Sequence, residues 1–282
     1  MLCSLRRAAA ACVLVAATGS SARAAALAYE PFEYGGTTLG GQGGGSSTGF
    51  SGTWTDNSTP PNNTTNPGGF AGGVSGAVAL SGDSSSLSFP GVAASGARVS
   101  DADGGYATRA LTTNINYNTN ATYYASALIR GSGVVQFDNA TYSLASFGIR
   151  NGQFVSATRD LASTASATYA GGTYDANTTY LMVAKIVGTT SGNDSVSVSI
   201  YDPSMTVPTT DPGVYDRTSN TGSTQATSRL ALIAFAGTSN EIDNVRFGTT
   251  WGDVVPVPEP TSAAALAAAA GAGLLARRRR RA

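Results

Sequence analysis

The sequence predicts an all-β protein, an antiparallel β-sandwich, and three observations carry that prediction. Short apolar or alternating segments recur between Leu27 and Asp253. Clusters of Gly, Ser, Thr and Asn with turn chemistry separate them. About ten short strands can be read in this way and no convincing helix, a pattern that closes most readily as two stacked sheets.

The strands are justified one by one. The start "LAYEPF" (27–32) reads as the first strand of the folded part. "VSGAVAL" (74–80), "YATRAL" (106–111) and "YYASALIR" (123–130) follow as candidate strands. "FGIRNGQFVSA" (147–157) places Asn151-Gly152 between two β-like runs, and that dipeptide tolerates the positive φ angles of a type I′ turn. "YLMVAKIV" (180–187) is almost continuously apolar, as expected of a strand covered on both faces. "SVSVSIY" (195–201) alternates, so Val196, Val198 and Ile200 share one face and the serines the other. The polar stretch 188–194 joins these two as an antiparallel hairpin, and "LALIAFA" (230–236) and "EIDNVRF" (241–247) complete the set. "TDNSTPPNNTTNPGG" (55–69) is too polar and proline-rich for a strand and reads as a long surface loop.

Composition excludes several chemistries. Of 282 residues, 41% are hydrophobic, enough for a real core, whereas only 12% are charged and none is histidine. That removes Ser-His-Asp and Cys-His catalysis and the commonest zinc ligand. The formal net charge is zero, but Arg6, Arg7, Arg23 and the arginines at 277–281 sit at the two ends. Between residues 24 and 276 only 9 of the 17 basic residues remain, against all 17 acidic ones. A middle this acidic does not suit a nucleic-acid partner, because phosphate binding needs a basic surface.

The ends read as addresses. Arg6 and Arg7, the apolar run "AAAACVLVAA" (8–17) and the small residues that follow have the order of a secretory signal peptide, here residues 1–24, for signal peptidase. Cleavage sites fit after Ala24 and after Ala28, and the first leaves the leading strand whole. Cys3 and Cys12 both fall inside this segment, so the mature chain is expected to hold no disulfide and to rely on packing. At the other end, Pro258-Glu259-Pro260 closes a linker (254–260) and precedes an apolar run, Thr261–Ala276. Arg277, Arg278, Arg279, Arg280 and Arg281 follow within a basic tail, 277–282. As a helix the 16-residue run is about 24 Å long, short of a hydrocarbon core of about 30 Å. A span this marginal suits a transient hold in the inner membrane. The arginines are expected to stay cytoplasmic, with the Pro-Glu-Pro tripeptide extended on the outer side.

The segments "LAYEPFEYGGTTLGGQGGGSSTGFSGTW", "YLMVAKIV…SVSVSIYDP" and "EIDNVRFGTTWGDV" resemble a group of bacterial envelope proteins. That group combines a laminin-G-like, concanavalin A-like jelly-roll sandwich with a PEP-CTERM sorting signal, and the C-terminal order of motifs is the more specific part of the likeness. The resemblance implies a sandwich domain at 25–253 and reading of Pro258-Glu259-Pro260 by an exosortase, a membrane-embedded cysteine protease. It also implies final delivery to the cell envelope, cell surface or extracellular matrix of an organism that makes exopolysaccharide.

Concanavalin-type sandwiches include glucanases with a Glu-x-Asp-x-x-Glu motif, which "EIDNVR" approaches. Glu241 and Asp243, two apart, face the same side of a strand. Retaining glycosidases need two carboxyl groups about 5–5.5 Å apart, and Arg246 stands where the last glutamate belongs. The bland alternative is a strand in which Asp243 bonds to backbone or to Arg246. "DADGG" (101–105) offers Asp101 and Asp103 as calcium ligands, but calcium takes six to eight oxygens and a plain turn fits as well. "GGQGGGSSTG" (40–49) lacks the Lys-Ser/Thr of a phosphate loop. No cofactor is called for. The expected function is a non-enzymatic, exported envelope protein. The alternative is a carbohydrate-binding module for exopolysaccharide, and after it a degenerate glycoside hydrolase.

Overall fold

The computed structural model describes residues 26–44, 46–56, 77–80, 86–92, 97–101, 105–138, 143–158, 173–191, 193–222, 227–234 and 240–255. The signal-peptide segment, Asp103, the Pro-Glu-Pro tripeptide, the apolar run and the arginine cluster lie outside these residues.

The strands are β1 (Ala28–Glu30), β2 (Phe50–Asp56), β3 (Val99–Asp101), β4 (Gly105–Ile115), β5 (Thr122–Gly131), β6 (Gly133–Asp138) and β7 (Ser143–Arg150). They continue with β8 (Gln153–Thr158), β9 (Tyr180–Val187), β10 (Asp194–Tyr201), β11 (Arg217–Gly222), β12 (Thr227–Ala234) and β13 (Asn240–Gly248). One helical turn follows, α1 (Trp251–Val254). Two sheets result, one in the order β1-β13-β5-β9-β10-β11 and the other β2-β4-β12-β6-β7-β8. Every described ladder is antiparallel. β1 and β3 share one edge of β13: β3 pairs its first residues, 240–242, and β1 its later ones, 245–247. The architecture is therefore the predicted all-β antiparallel sandwich.

The main core lies between the sheets. Val196, Val198 and Ile200 of β10 enter it with Met182, Ala184 and Ile186 of β9, as alternation requires. Facing them are Val135 and Phe137 of β6, Phe147 and Ile149 of β7, and Leu230 and Leu232 of β12. Leu181 and Val183 point the other way, into a second core on the outer face of the first sheet. Leu87, Phe89, Trp251, Val254 and Val255 cover them there. This two-sided burial is why the β9 sequence is almost continuously apolar. Val254 and Val255, expected to begin the linker, are buried in this second core and belong to the packed body. α1 is held there by Trp251 Nε1 donating to Pro208 O at 2.8 Å and by Ser126 Oγ donating to Val254 O at 2.7 Å.

The hairpin turns follow the reading. Arg150 pairs with Gln153, leaving Asn151 (φ 51°) and Gly152 (φ 70°) as a two-residue loop with both φ angles positive. β9 and β10 pair from Ser195–Val187 to Tyr201–Leu181. Two segments differ from expectation. Of 77–80, Ala79 and Leu80 make isolated bridges, to Thr38 and Val99, and residues 74–76 of the expected strand lie outside the described residues. Thr55 and Asp56, expected in the surface loop, end β2 by pairing with Thr108 and Ala107.

Candidate functional site

β13 decides the fate of the two carboxylates singled out in the sequence. Ile242 and Val245 enter the main core, which turns Glu241, Asp243 and Arg246 to the outer side. The ladder to β5 shifts between Asp243 and Arg246, where Asn244 takes a φ of 51°. Asp243 is fully buried. One oxygen accepts from Ser86 Oγ at 2.6 Å and Leu87 N at 2.8 Å, the other from Asn244 N at 2.7 Å. It fastens the loop that carries Leu87 and Phe89 to the sheet. The Arg246 guanidinium lies 4.4 Å from the centre of the Tyr29 ring. The backbone bonding of the bland reading is thus observed.

Glu241 is also buried, but between two guanidinium groups. Arg98 donates from Nε at 2.9 Å and Nη2 at 2.8 Å to one oxygen, and Arg130 donates from Nε to the other. Burial pushes this carboxyl up, but the Arg130 and Arg98 hydrogen bonds and charges outweigh it, so it is held below the usual carboxylate range. A general acid of a glycosidase needs the opposite shift. Asp101 ends β3 opposite Asn240. Among the described residues no group of three or more acidic, Cys or His side chains could hold a metal ion.

Arg130 leads to the site that sequence reasoning missed. An open cleft of about 620 Å³ lies where three connections meet at one end of the sandwich. The β5–β6 crossing supplies Arg130, Gly131 and Ser132, the β7–β8 turn supplies Asn151 and Gly152, and the approach to β9 supplies Tyr174, Ala176 and Asn177. Its volume falls within the range of small-molecule sites, about 300–1,000 Å³. Tyr174 is fixed in place: its hydroxyl donates to Gly131 O at 2.9 Å, and its ring stacks on Tyr180 with centroids 6.1 Å apart. Phe154 meets it edge-on at 5.8 Å. A Cβ at Gly152 would lie 3.7 Å from the Tyr174 ring, so glycine serves the turn and also leaves that part of the ring uncovered. Sequence held two of the signals, the Asn-Gly turn and the tyrosines, but nothing that put them side by side.

A second missed cluster is closed. Glu30, with no exposed surface, accepts from Phe32 N at 2.9 Å, Tyr34 OH at 2.7 Å, Trp54 Nε1 at 3.1 Å and Arg109 Nη1 at 2.7 Å. Arg109 also reaches Gly52 O and Ser47 Oγ. Because β1 belongs to one sheet and β2 and β4 to the other, this network ties the sheets together. Elsewhere Asp211, half-buried, gathers Lys185 Nζ and Tyr124 OH, both at 2.8 Å, and Gly213 N at 2.9 Å, with Tyr215 OH also donating to it.

Fold and site together define an antiparallel β-sandwich with an open cleft at one end, lined by Arg130, Tyr174 and neutral polar groups. No protein-family model matches the chain, and no curated protein matches it. Among solved structures, the calreticulin globular domain of T. cruzi matches at 12% identity and a TM-score of 0.41, over 78% of this chain and 87% of that one. An endo-β-1,4-glucuronan lyase from the fungus Trichoderma reesei matches at 11% identity and a TM-score of 0.33, over 57% of this chain and 90% of that one. The Emp47p carbohydrate recognition domain matches at 10% identity and a TM-score of 0.29, over 61% and 88%.

Proposed function

We propose that the chain is an exported, non-enzymatic β-sandwich protein, sorted to the cell envelope or extracellular matrix through its C-terminal tail. The observation that carries this reading is the order of parts in that tail: Pro258-Glu259-Pro260, a 16-residue apolar run, then five consecutive arginines. Each part has a separate physical task. The prolines keep the tripeptide out of the helix, where a membrane protease of the exosortase type can read it. The apolar run holds the chain in the inner membrane for a limited time, and the arginines set its orientation. The non-enzymatic half is supported by the positions of Glu241 and Asp243, both bonded within the fold. Glu259→Ala, expressed in a host that carries an exosortase, should leave membrane insertion intact and accumulate a longer, membrane-associated precursor. Mass spectrometry of envelope and medium fractions reads the outcome. A wild-type envelope form that still ends at Ala282 would replace the sorting signal with a plain tail anchor.

A second reading, carbohydrate binding, is favoured by the cleft. A fixed tyrosine ring beside amide and hydroxyl groups is what a pyranose needs, an apolar face to stack on and donors for its rim. A glycan array on the protein tests it.

A further inference from the structure

We propose that the cleft selects acidic saccharides, binding a uronate-type carboxylate at Arg130 while a sugar ring stacks on Tyr174. This inference rests on the carbohydrate-binding reading and names its ligand class. It begins with a charge count. Arg98 and Arg130 share the single carboxylate of Glu241, so this trio carries one positive charge in excess. The surplus lies towards the cleft, because Arg130 lines it and its side chain is 36% exposed, against 17% for Arg98 and 5% for Glu241.

The guanidinium is also held ready. Glu241 accepts from Nε of Arg130 and orients the plane, while the two Nη groups make no hydrogen bond to protein among the described residues. Paired Nη donors match the two oxygens of a carboxylate, and such charge-assisted pairs are the stronger hydrogen bonds of proteins. Asp175, between the lining residues Tyr174 and Ala176, keeps its negative charge but accepts from Asn177 N at 3.0 Å and Thr178 Oγ1 at 2.9 Å, which hold its carboxylate within that turn. The Ser132 hydroxyl and the Asn151 amide complete the rim with neutral polar groups. In a chain whose middle is acidic overall, the one charged side chain among the described residues that line the cleft is Arg130, and it is the group an acidic polysaccharide would meet there.

The test measures binding of the full chain in detergent to an oligogalacturonate and to the same oligosaccharide with its carboxyls reduced to alcohols. Expected is a preference for the acid form of about tenfold or more, because the lost contacts are charge-assisted. The preference should weaken as salt rises from about 50 to about 500 mM. Arg130→Gln should remove it while stacking on Tyr174 preserves residual binding to both sugars, and Arg130→Lys should restore only part. Circular dichroism of each variant confirms folding. Equal affinity for acid and reduced forms overturns the acidic selectivity and leaves the sugar-binding reading standing. Binding of neither form by the folded wild-type chain overturns both.

Discussion

Glu30 and Glu241 lie on neighbouring strands of one sheet, β1 and β13, and each is paired with arginine, yet they do opposite work. Glu30 sits opposite Val245 and shares its inward face. Its guanidinium partner, Arg109, is as buried as it is, with side-chain exposures of 3% and 0%, and every observed bond goes to protein. Glu241 faces outward and is outnumbered two to one. A one-to-one buried pair surrounded by donors can only hold strands together. An unbalanced trio at a cleft leaves charge that something outside the protein can use. Counting charges within each cluster, rather than noting that a salt bridge exists, is what separates the two.

The sharpest way to break this comparison is to remove one partner of the buried pair. Arg109→Met leaves an ionisable carboxyl with no cation inside the core, and should cost about 3–5 kcal/mol in urea denaturation. The double replacement with Glu30→Leu should cost less than the two single changes added together, because neither group is then stranded. A single-variant loss below about 1 kcal/mol would contradict the structural role assigned to the network.

The pH dependence of the two glutamates should run in opposite directions. Burial raises the Glu30 carboxyl above its ordinary 4.5, and the Tyr34, Phe32, Arg109 and Trp54 contacts only partly offset this. The folded state then binds the proton more tightly than the unfolded chain. The stabilisation is full below 4.5 and is lost as pH rises through the raised value. Glu241 is held below 4.5, so its contribution is full above that value and is lost as pH falls through the lowered one. Measured from about pH 6 down to about pH 3, the cost of Glu30→Gln should grow and the cost of Glu241→Gln should shrink. Parallel trends would contradict the contrast drawn here.

How much of this was legible in the sequence depends on how far apart the partners lie. β9 was readable because its two-sided burial is written in consecutive residues, and the Asn151-Gly152 turn because both φ angles belong to the pair itself. The outward placement of Glu241 and Asp243 followed from alternation, but their partners did not. Arg98 and Arg130 are 143 and 111 positions from Glu241, and Ser86 is 157 from Asp243. Glu30 left a trace that went unused: a lone acid inside the strand "LAYEPF", matched by a lone arginine inside "YATRAL". Two unlike charges, each set among apolar strand residues, are the sequence sign of a buried pair. The cleft left less, since it draws on three connections and no single stretch contains its chemistry.

A middle-sized effect belongs to the turn that borders the cleft. Gly152→Val should destabilise by about 1–2 kcal/mol, because a β-branched residue resists the positive φ that this position requires. Asn151→Gly should stay within about 0.5 kcal/mol, since glycine adopts the same angle freely. Thermal unfolding of both variants checks the pair. Equal losses at the two positions would mean that the turn type does not control the hairpin.

The smallest expected effect on stability is at Arg130, and its smallness is the point. The side chain is 36% exposed and shares Glu241 with Arg98, so Arg130→Gln leaves that carboxylate with Arg98 still donating to its other oxygen from Nε and Nη2. Partly exposed ion pairs contribute about 0–1 kcal/mol, and the loss in urea denaturation should lie in that range. Arg98→Gln should cost more, because Arg98 holds Glu241 through both Nε and Nη2 and has only 17% of its side chain exposed. If Arg130→Gln instead cost as much as Arg109→Met, the trio would be a second architectural pair. The excess charge at the cleft would then be a by-product of holding β5 to β13, and the difference between the two clusters would disappear.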